Sequence, residues 1–189
     1  MTDRASGIRG EYERDGADGF YAAKGAEYRN PHEARVRAAL RAALAAVGPR
    51  LDLRRVLDLC CGSGEVTLFL RDEGGPAVGT VEGLDPFTHA AYEERTGDAA
   101  LRLSFLDLAR GELNAAREPY TLVVCSYALH LADPSVLPML CFFLCRMTPH
   151  LLVLTPHKRP HLKADWGFEL VWEAVVERTR ARLYRSTAA

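Results

Sequence analysis

A doubly wound, mostly parallel sheet with helices on both faces is the fold this sequence predicts, and three observations predict it. Short apolar runs alternate with helical stretches after Gly48-Pro49. Several of those runs, above all Leu122-Val123-Val124-Cys125 and Leu151-Leu152-Val153-Leu154, are apolar at every position. The first of them, Val56 to Cys60, turns through Gly62 and Gly64 into a helix. Unbroken apolar strands belong to sheets covered on both faces, and a glycine turn between strand and helix brings bare backbone within reach of a ligand.

Taken in order, the first thirty residues are polar and glycine-dotted but carry Tyr12, Phe20, Tyr21 and Tyr28, too many aromatics for an unpacked arm. Asn30-Pro31-His32-Glu33 reads as a helix start, with Asn as N-cap, Pro at the first helical position and Glu at the third. That helix runs to about Val47, and Val36, Leu40, Leu44 and Val47 give it one apolar face. Residues 1–49 therefore read as an N-terminal helical cap on the same domain as an α/β core spanning 50–189. Strands are predicted at 55–60, 79–85, 101–105, 121–126 and 150–155. Helices are predicted at 64–74, 88–96 and 134–147, the last capped by Asp133-Pro134. Thr155-Pro156-His157-Lys158-Arg159-Pro160 then makes a proline-bounded basic loop where another helix is due. Phe168 to Val176 and Thr179 to Ser186 read as two antiparallel strands, because valines and aromatics favour strands, in preference to the single helix that the glutamate spacing would allow.

Composition narrows the class. A chain of 189 residues, 48% hydrophobic and 26% charged, has enough apolar mass for one full core. The net charge of -1 gives no global attraction to nucleic acid, although 21 of the 24 basic residues are arginine and can form local patches. The five cysteines, Cys60, Cys61, Cys125, Cys141 and Cys145, are odd in number, lie in apolar segments and have no metal-type spacing, so reduced thiols and no metal site are expected. The start is charged, and the longest apolar run, Val136 to Cys145, is interrupted by Pro138 and too short to span a bilayer. A soluble cytoplasmic protein that binds no membrane is the expectation.

In open parallel sheets a ligand binds beyond the carboxyl ends of the strands, where the first glycine turn lies. Asp85 ends the second strand, twenty-one residues after Gly64, where a carboxylate can accept both hydroxyls of a ribose. Asp107, past the third strand, is placed to accept from an exocyclic amine, and Asp58 to favour a cationic group. Asp85 and Asp107 have the alternative role of helix caps or loop acids, and Asp58 that of a structural acceptor for backbone NH groups. Two dinucleotide features are missing: the turn has no third glycine, and Glu65 stands at the helix start where a pyrophosphate would sit. The pocket suits a cationic nucleoside without phosphates, and a nicotinamide-dependent oxidoreductase is disfavoured by Glu65.

Over about residues 54–155 the chain resembles the class I S-adenosylmethionine-dependent methyltransferases, which have a Rossmann-like fold. Val56-Leu57-Asp58-Leu59-Cys60-Cys61-Gly62-Ser63-Gly64 looks like their glycine-rich first motif. Gly83-Leu84-Asp85, Leu103-Ser104-Phe105-Leu106-Asp107 and Leu122-Val123-Val124-Cys125-Ser126-Tyr127-Ala128-Leu129-His130 follow in the family's order. The resemblance implies S-adenosyl-L-methionine as cofactor and S-adenosyl-L-homocysteine as product. It places Gly62 and Gly64 at the methionine part, Asp85 at the ribose and Leu106 with Asp107 at the adenine, with Asp58, Cys60, Pro86 and Phe87 as further cofactor-binding residues. Ser126 and Tyr127 would face the methionine and the acceptor. Cys60 stands where the family has its first glycine, a mild change if the residue keeps ordinary β geometry.

Methyl transfer from a sulfonium needs positioning more than a base; His130 and Tyr127 are the candidate catalytic side chains, His130 because imidazole titrates near neutrality. Tyr21, Tyr28 and His32 are candidates for a lid, and His157 and Lys158 for the acceptor side. The family's usual helix between its fifth and sixth strands is replaced by Pro156 to Asp165. The acceptor, an oxygen or nitrogen on a small molecule, a protein or an RNA, is set by loops; DNA is not indicated. A non-catalytic S-adenosylmethionine-binding partner or regulatory subunit is the alternative function.

Overall fold

The computed structural model describes residues 24–113 and 118–188. Tyr12, Phe20 and Tyr21 lie outside the described residues. The strands are β1 (Arg55–Leu59), β2 (Thr80–Leu84), β3 (Ala100–Leu101), β4 (Leu122–Ser126), β5 (His150–Thr155), β6 (Phe168–Val176) and β7 (Thr179–Ser186). The helices are α1 (Glu33–Val47), α2 (Glu65–Glu73), α3 (His89–Thr96), α4 (Phe105–Ala109) and α5 (Leu137–Met147). All seven strands form one sheet in the order β3-β2-β1-β4-β5-β7-β6. β1 to β5 pair in parallel, while β7 enters antiparallel between β5 and β6. This is the doubly wound sheet with a C-terminal hairpin that the pattern predicts.

Successive side chains on a strand point to opposite faces, and here both faces are buried. Leu57, Val123, Cys125, Leu151, Val153 and Tyr184 pack with Leu140 and Leu144 of α5. Val56, Val124, Leu152, Leu154, Ala181 and Leu183 pack with Leu40 of α1 and Phe69 of α2. Apolar residues at consecutive positions of β4 and β5 thus belong to two cores, which explains why those strands show no polar alternation. Among the described residues, no helix is long and apolar enough to cross a membrane.

Three expectations need correction. The third strand, expected over 101–105, is only Ala100–Leu101, and Phe105–Ala109 is helical. The cause is a capping box: Ser104 accepts from the Asp107 backbone N at 3.2 Å while Asp107 accepts from the Ser104 backbone N at 2.8 Å, which starts a helix where apolar content suggested a strand. The helix after Asn30 begins two residues later than its signal. Asn30 Oδ1 accepts from the His32 backbone N at 2.8 Å and closes a turn, leaving His32 as the N-cap. Likewise α5 starts at Leu137, because the Asp133 carboxylate holds Ser135 N and Oγ in a turn before it.

Between β5 and β6 the one ordered element is a short 3-10 turn, Ala164–Trp166. The loop nonetheless contributes to the core through buried Leu162. The Arg182 guanidinium, buried in β7, donates to the Pro160 carbonyl at 3.2 Å and to Glu173 at 3.0 Å. A charge buried this deeply is tolerated only when paired and hydrogen-bonded, so the loop and the hairpin are fixed to each other.

Candidate functional site

The parallel strands all end at one side of the sheet, and a cavity of about 760 Å³ opens there. Its first wall is the turn after β1. Cys60, Gly62 and Gly64 all have left-handed backbone angles, with φ of 56°, 56° and 87°. This corrects the expectation for Cys60. It does not keep β geometry but takes a conformation that costs a side-chain-bearing residue roughly 1–2 kcal/mol. The residue lines the cavity, and the neighbouring Cys125 of β4 together with burial pushes its thiol up. The turn is fixed by Gly64 N donating to Cys61 O at 2.8 Å and Cys61 N donating to Leu84 O at 3.1 Å.

The two glycines differ in role. A Cβ on Gly62 would lie 3.0 Å from Glu65 Oε2 and 3.2 Å from the Tyr28 ring, inside the cavity wall. One on Gly64 would lie 2.6 Å from Thr96 Cγ2 and 3.4 Å from the Tyr92 ring. Gly64 therefore faces α3 and does not line the cavity: it lets α2 pack on α3 and supplies the turn, instead of contacting a ligand as expected.

Four acidic residues line the cavity, Asp58, Glu65, Asp85 and, at its outer side, Asp133. Asp58 is fully buried; its Oδ2 accepts from the Thr67 backbone N at 3.1 Å and hydroxyl at 2.8 Å, while its Oδ1 is buried without a partner. Burial pushes its carboxyl up to about 8 against the opposing effect of Thr67, and the negative charges of Glu65 and Asp85 push the same way as burial. Asp85 spends Oδ1 on the backbone N of Phe87 and of Thr88, both at 2.8 Å, which seats it firmly at the end of β2. Glu65 is hydrogen-bonded to Ser63 and ion-paired with Arg95 of α3 at 3.2 Å. Arg95 also binds Glu33 of α1 at 2.9 Å, so the charge expected to repel an anion is partly balanced from a distant element.

Pro86, Phe87, Leu106, Ser126 and Tyr127 line the cavity as the sequence placed them, and Tyr28 does too. Asp107 does not. Its carboxylate accepts from the Ser104 backbone N and hydroxyl at 2.8 and 2.7 Å, and these bonds hold its carboxyl below the ordinary range. The helix-cap role weighed for Asp107 is the one it fills. Thr88, Ser104, Phe105 and Asn30 also line the cavity and were missed; the Ser104-x-x-Asp107 spacing was the signal available for Ser104. The hydroxyls of Thr88 and Ser126 are buried without partners.

Tyr127 has φ of 56°, an uncommon and strained state for an aromatic residue. Its hydroxyl bonds to Thr179 Oγ1 of β7 at 2.5 Å, and its ring lies 5.3 Å from that of His32. His32 thus acts on the cavity through Tyr127 and does not line it. His130 and His157 do not line it either. Their rings stand 4.2 Å apart, and burial, with a smaller effect from His157, lowers His130 to about 4. A base that weak, turned toward another histidine, is poorly suited to take a proton at neutral pH. Lys158 is exposed in the loop beyond. Tyr21 lies outside the described residues. Among the described residues no group of three metal-binding side chains converges.

Known proteins give this geometry a context. A family model described as "Methyltransferase domain" matches residues 31–188. A protein of Schizosaccharomyces pombe whose function is uncharacterised is 33% identical, with 90% of this chain and 89% of that one covered. Among solved structures, the chain crystallised with the Trm112 methyltransferase activator of Haloferax volcanii has a TM-score of 0.66 at 17% identity, covering 92% of this chain and 98% of that chain. Magnesium protoporphyrin IX methyltransferase from Synechocystis PCC 6803, solved with bound SAM, has a TM-score of 0.57 at 16% identity, covering 99% of this chain and 100% of that chain. At such identities the structural likeness is one of fold.

Proposed function

Given that this chain belongs to the class I S-adenosylmethionine-dependent methyltransferase family, we propose that it binds S-adenosyl-L-methionine in the cavity beyond β1, β2 and β4 and transfers the methyl group to an oxygen or nitrogen acceptor. One observation carries this reading. Three buried polar atoms without partners, Asp58 Oδ1, Thr88 Oγ1 and Ser126 Oγ, belong to residues lining one cavity whose floor is a glycine turn. Leaving buried polar groups unpaired costs about 1–3 kcal/mol each, and a ligand rich in hydroxyl, amine and carboxylate groups would satisfy them. Asp58 and the Cys60–Gly62 turn would hold the methionine end, Asp85 the ribose, and Phe87, Phe105 and Leu106 the adenine.

The cofactor supplies a methyl group already activated on a sulfonium, so the protein's share of the work is alignment and exclusion of water. Tyr127, fixed by Thr179 and His32, gives the acceptor side a rigid wall. His130 is not needed as a base in this scheme. The basic loop that carries His157 and Lys158 leaves the same end of the sheet, outside the cavity lining.

Calorimetry with S-adenosylmethionine and S-adenosylhomocysteine tests the reading. Binding of both is expected, and no heat or thermal shift from either at millimolar ligand would overturn it. The second reading is a partner subunit that keeps the cofactor without catalysis. It is favoured by the edge of β6 that no described strand covers, with Val171 and Val175 exposed. Methyl transfer from labelled cofactor to a small-molecule, protein or RNA pool would eliminate it.

A further inference from the structure

Asp58 faces a local excess of negative charge. Packed against it are α2 with Thr67 and Glu65, the end of β2 with Asp85, the turn with Cys61, and α3 with Tyr92, whose hydroxyl is 3.1 Å from Thr67 Oγ1. The cation in this group is Arg95, and it is shared between Glu65 and Glu33. Asp58 Oδ2 is satisfied by Thr67, whereas Oδ1 has no donor and belongs to a residue lining the cavity. A carboxylate there would be buried beside two other carboxylates with half of its acceptor capacity empty. Burial and like charge both favour the neutral acid. A neutral acid in turn gives Oδ1 or its proton a role only when something enters the cavity.

We propose that Asp58 holds a proton in the ligand-free protein and surrenders it to solvent when a cationic ligand group enters, so that cofactor binding is a proton-for-cation exchange. The inference rests on the reading of the cavity as a cofactor site and adds how that site selects charge. The O–H bond of Asp58 breaks, the proton passes to buffer, and the carboxylate formed faces the ammonium of the ligand. The carboxyl's elevated range, about 8, means the exchange operates at neutral pH. Binding must then tighten as pH rises, because the ligand competes with a proton. A neutral nucleoside without the amino-acid end gains nothing from the exchange.

The test is calorimetry of S-adenosylhomocysteine binding to the full chain in two buffers of different ionisation enthalpy. The expected result is release of close to one proton per ligand at slightly acid pH, with affinity rising about tenfold between about pH 6 and pH 7. 5′-Methylthioadenosine, which lacks the ammonium, is expected to bind with no proton release. Asp58→Asn is expected to bind S-adenosylhomocysteine with equal heats in both buffers and no pH slope. Wild-type binding with equal heats and a flat pH profile overturns the exchange while leaving the cofactor site standing. A complete absence of S-adenosylhomocysteine binding overturns both. Undiminished proton release from Asp58→Asn overturns the assignment to this residue.

Discussion

The turn after β1 and the loop after β5 leave the same end of the same sheet and are built on opposite terms. The first is a backbone structure: three left-handed residues within five, amide groups bonded to carbonyls, and carboxylates anchored by neighbouring NH groups. The second is a side-chain structure. It carries His157, Lys158, Arg159, His161 and Lys163 with no acid before Asp165, and is tied down by Leu162 and Arg182. Backbone geometry tolerates few substitutions, because the strain of a left-handed residue or the overlap of a Cβ does not depend on which side chain is added. A loop presenting side chains can change its chemistry without disturbing the sheet. On the proposed reading, the contrast would let cofactor binding and acceptor choice be adjusted separately.

Three measurements break or sharpen that division. The largest effect is expected from Asp85→Ala, which deprives two backbone NH groups of their acceptor and empties the carboxylate position. A loss of roughly 100-fold in S-adenosylhomocysteine affinity is expected from two charge-assisted bonds, measured by calorimetry. Lys158→Ala should leave that affinity within about twofold; an equal loss from both would show that the two regions are not separable. Next is Gly64→Ala. It combines φ of 87° with a Cβ 2.6 Å from Thr96 Cγ2 and should destabilise the fold by about 2 kcal/mol, lowering Tm by roughly 5 °C. An unchanged Tm would mean that α2 and α3 can separate without penalty.

The smallest effect belongs to the acid limb of the stability curve. His130 is lowered to about 4 from the ordinary 6.5, so the unfolded chain takes up a proton that the folded protein refuses. Stability from this group is complete above the ordinary value and is lost as pH falls through the window between them. His130→Gln should flatten that part of a Tm-against-pH profile. A profile identical to wild type would place the acid sensitivity elsewhere.

Much of this was legible because local chemistry decided it. The hairpin strands carry Phe168, Trp172, Leu183 and Tyr184 at positions that pack, and both strands were found at their observed limits. Asp85 was legible because the end of a strand at that distance from a glycine turn has few other uses. What was illegible depended on partners far along the chain or on competition between local signals. Arg95 balances Glu65 across 30 residues. The Ser104–Asp107 box overrode the apolar content of Leu103 and Phe105 and drew Asp107 away from the cavity. Cys60 gave no sign of its left-handed backbone, since a cysteine after apolar residues reads as one more strand position. The hairpin turn itself, Glu177-Arg178 with φ of 47° and 69°, adopts without any glycine a geometry that usually advertises itself through Asn-Gly or Asp-Gly.

The antiparallel insertion of β7 also governs the order in which the molecule can be assembled. β5 finds its second neighbour and β6 its sheet partner in β7, so during synthesis β5 keeps one bare edge and β6 stays unpaired until residues 179–186 have emerged. For β5 the delay spans the whole basic loop and the strand after it, a long interval for an apolar edge. Arg182, arriving in that same strand, fastens the loop and β6 in one event. The half of the sheet that carries the basic loop therefore closes in a single late step, after the glycine turn has had time to form.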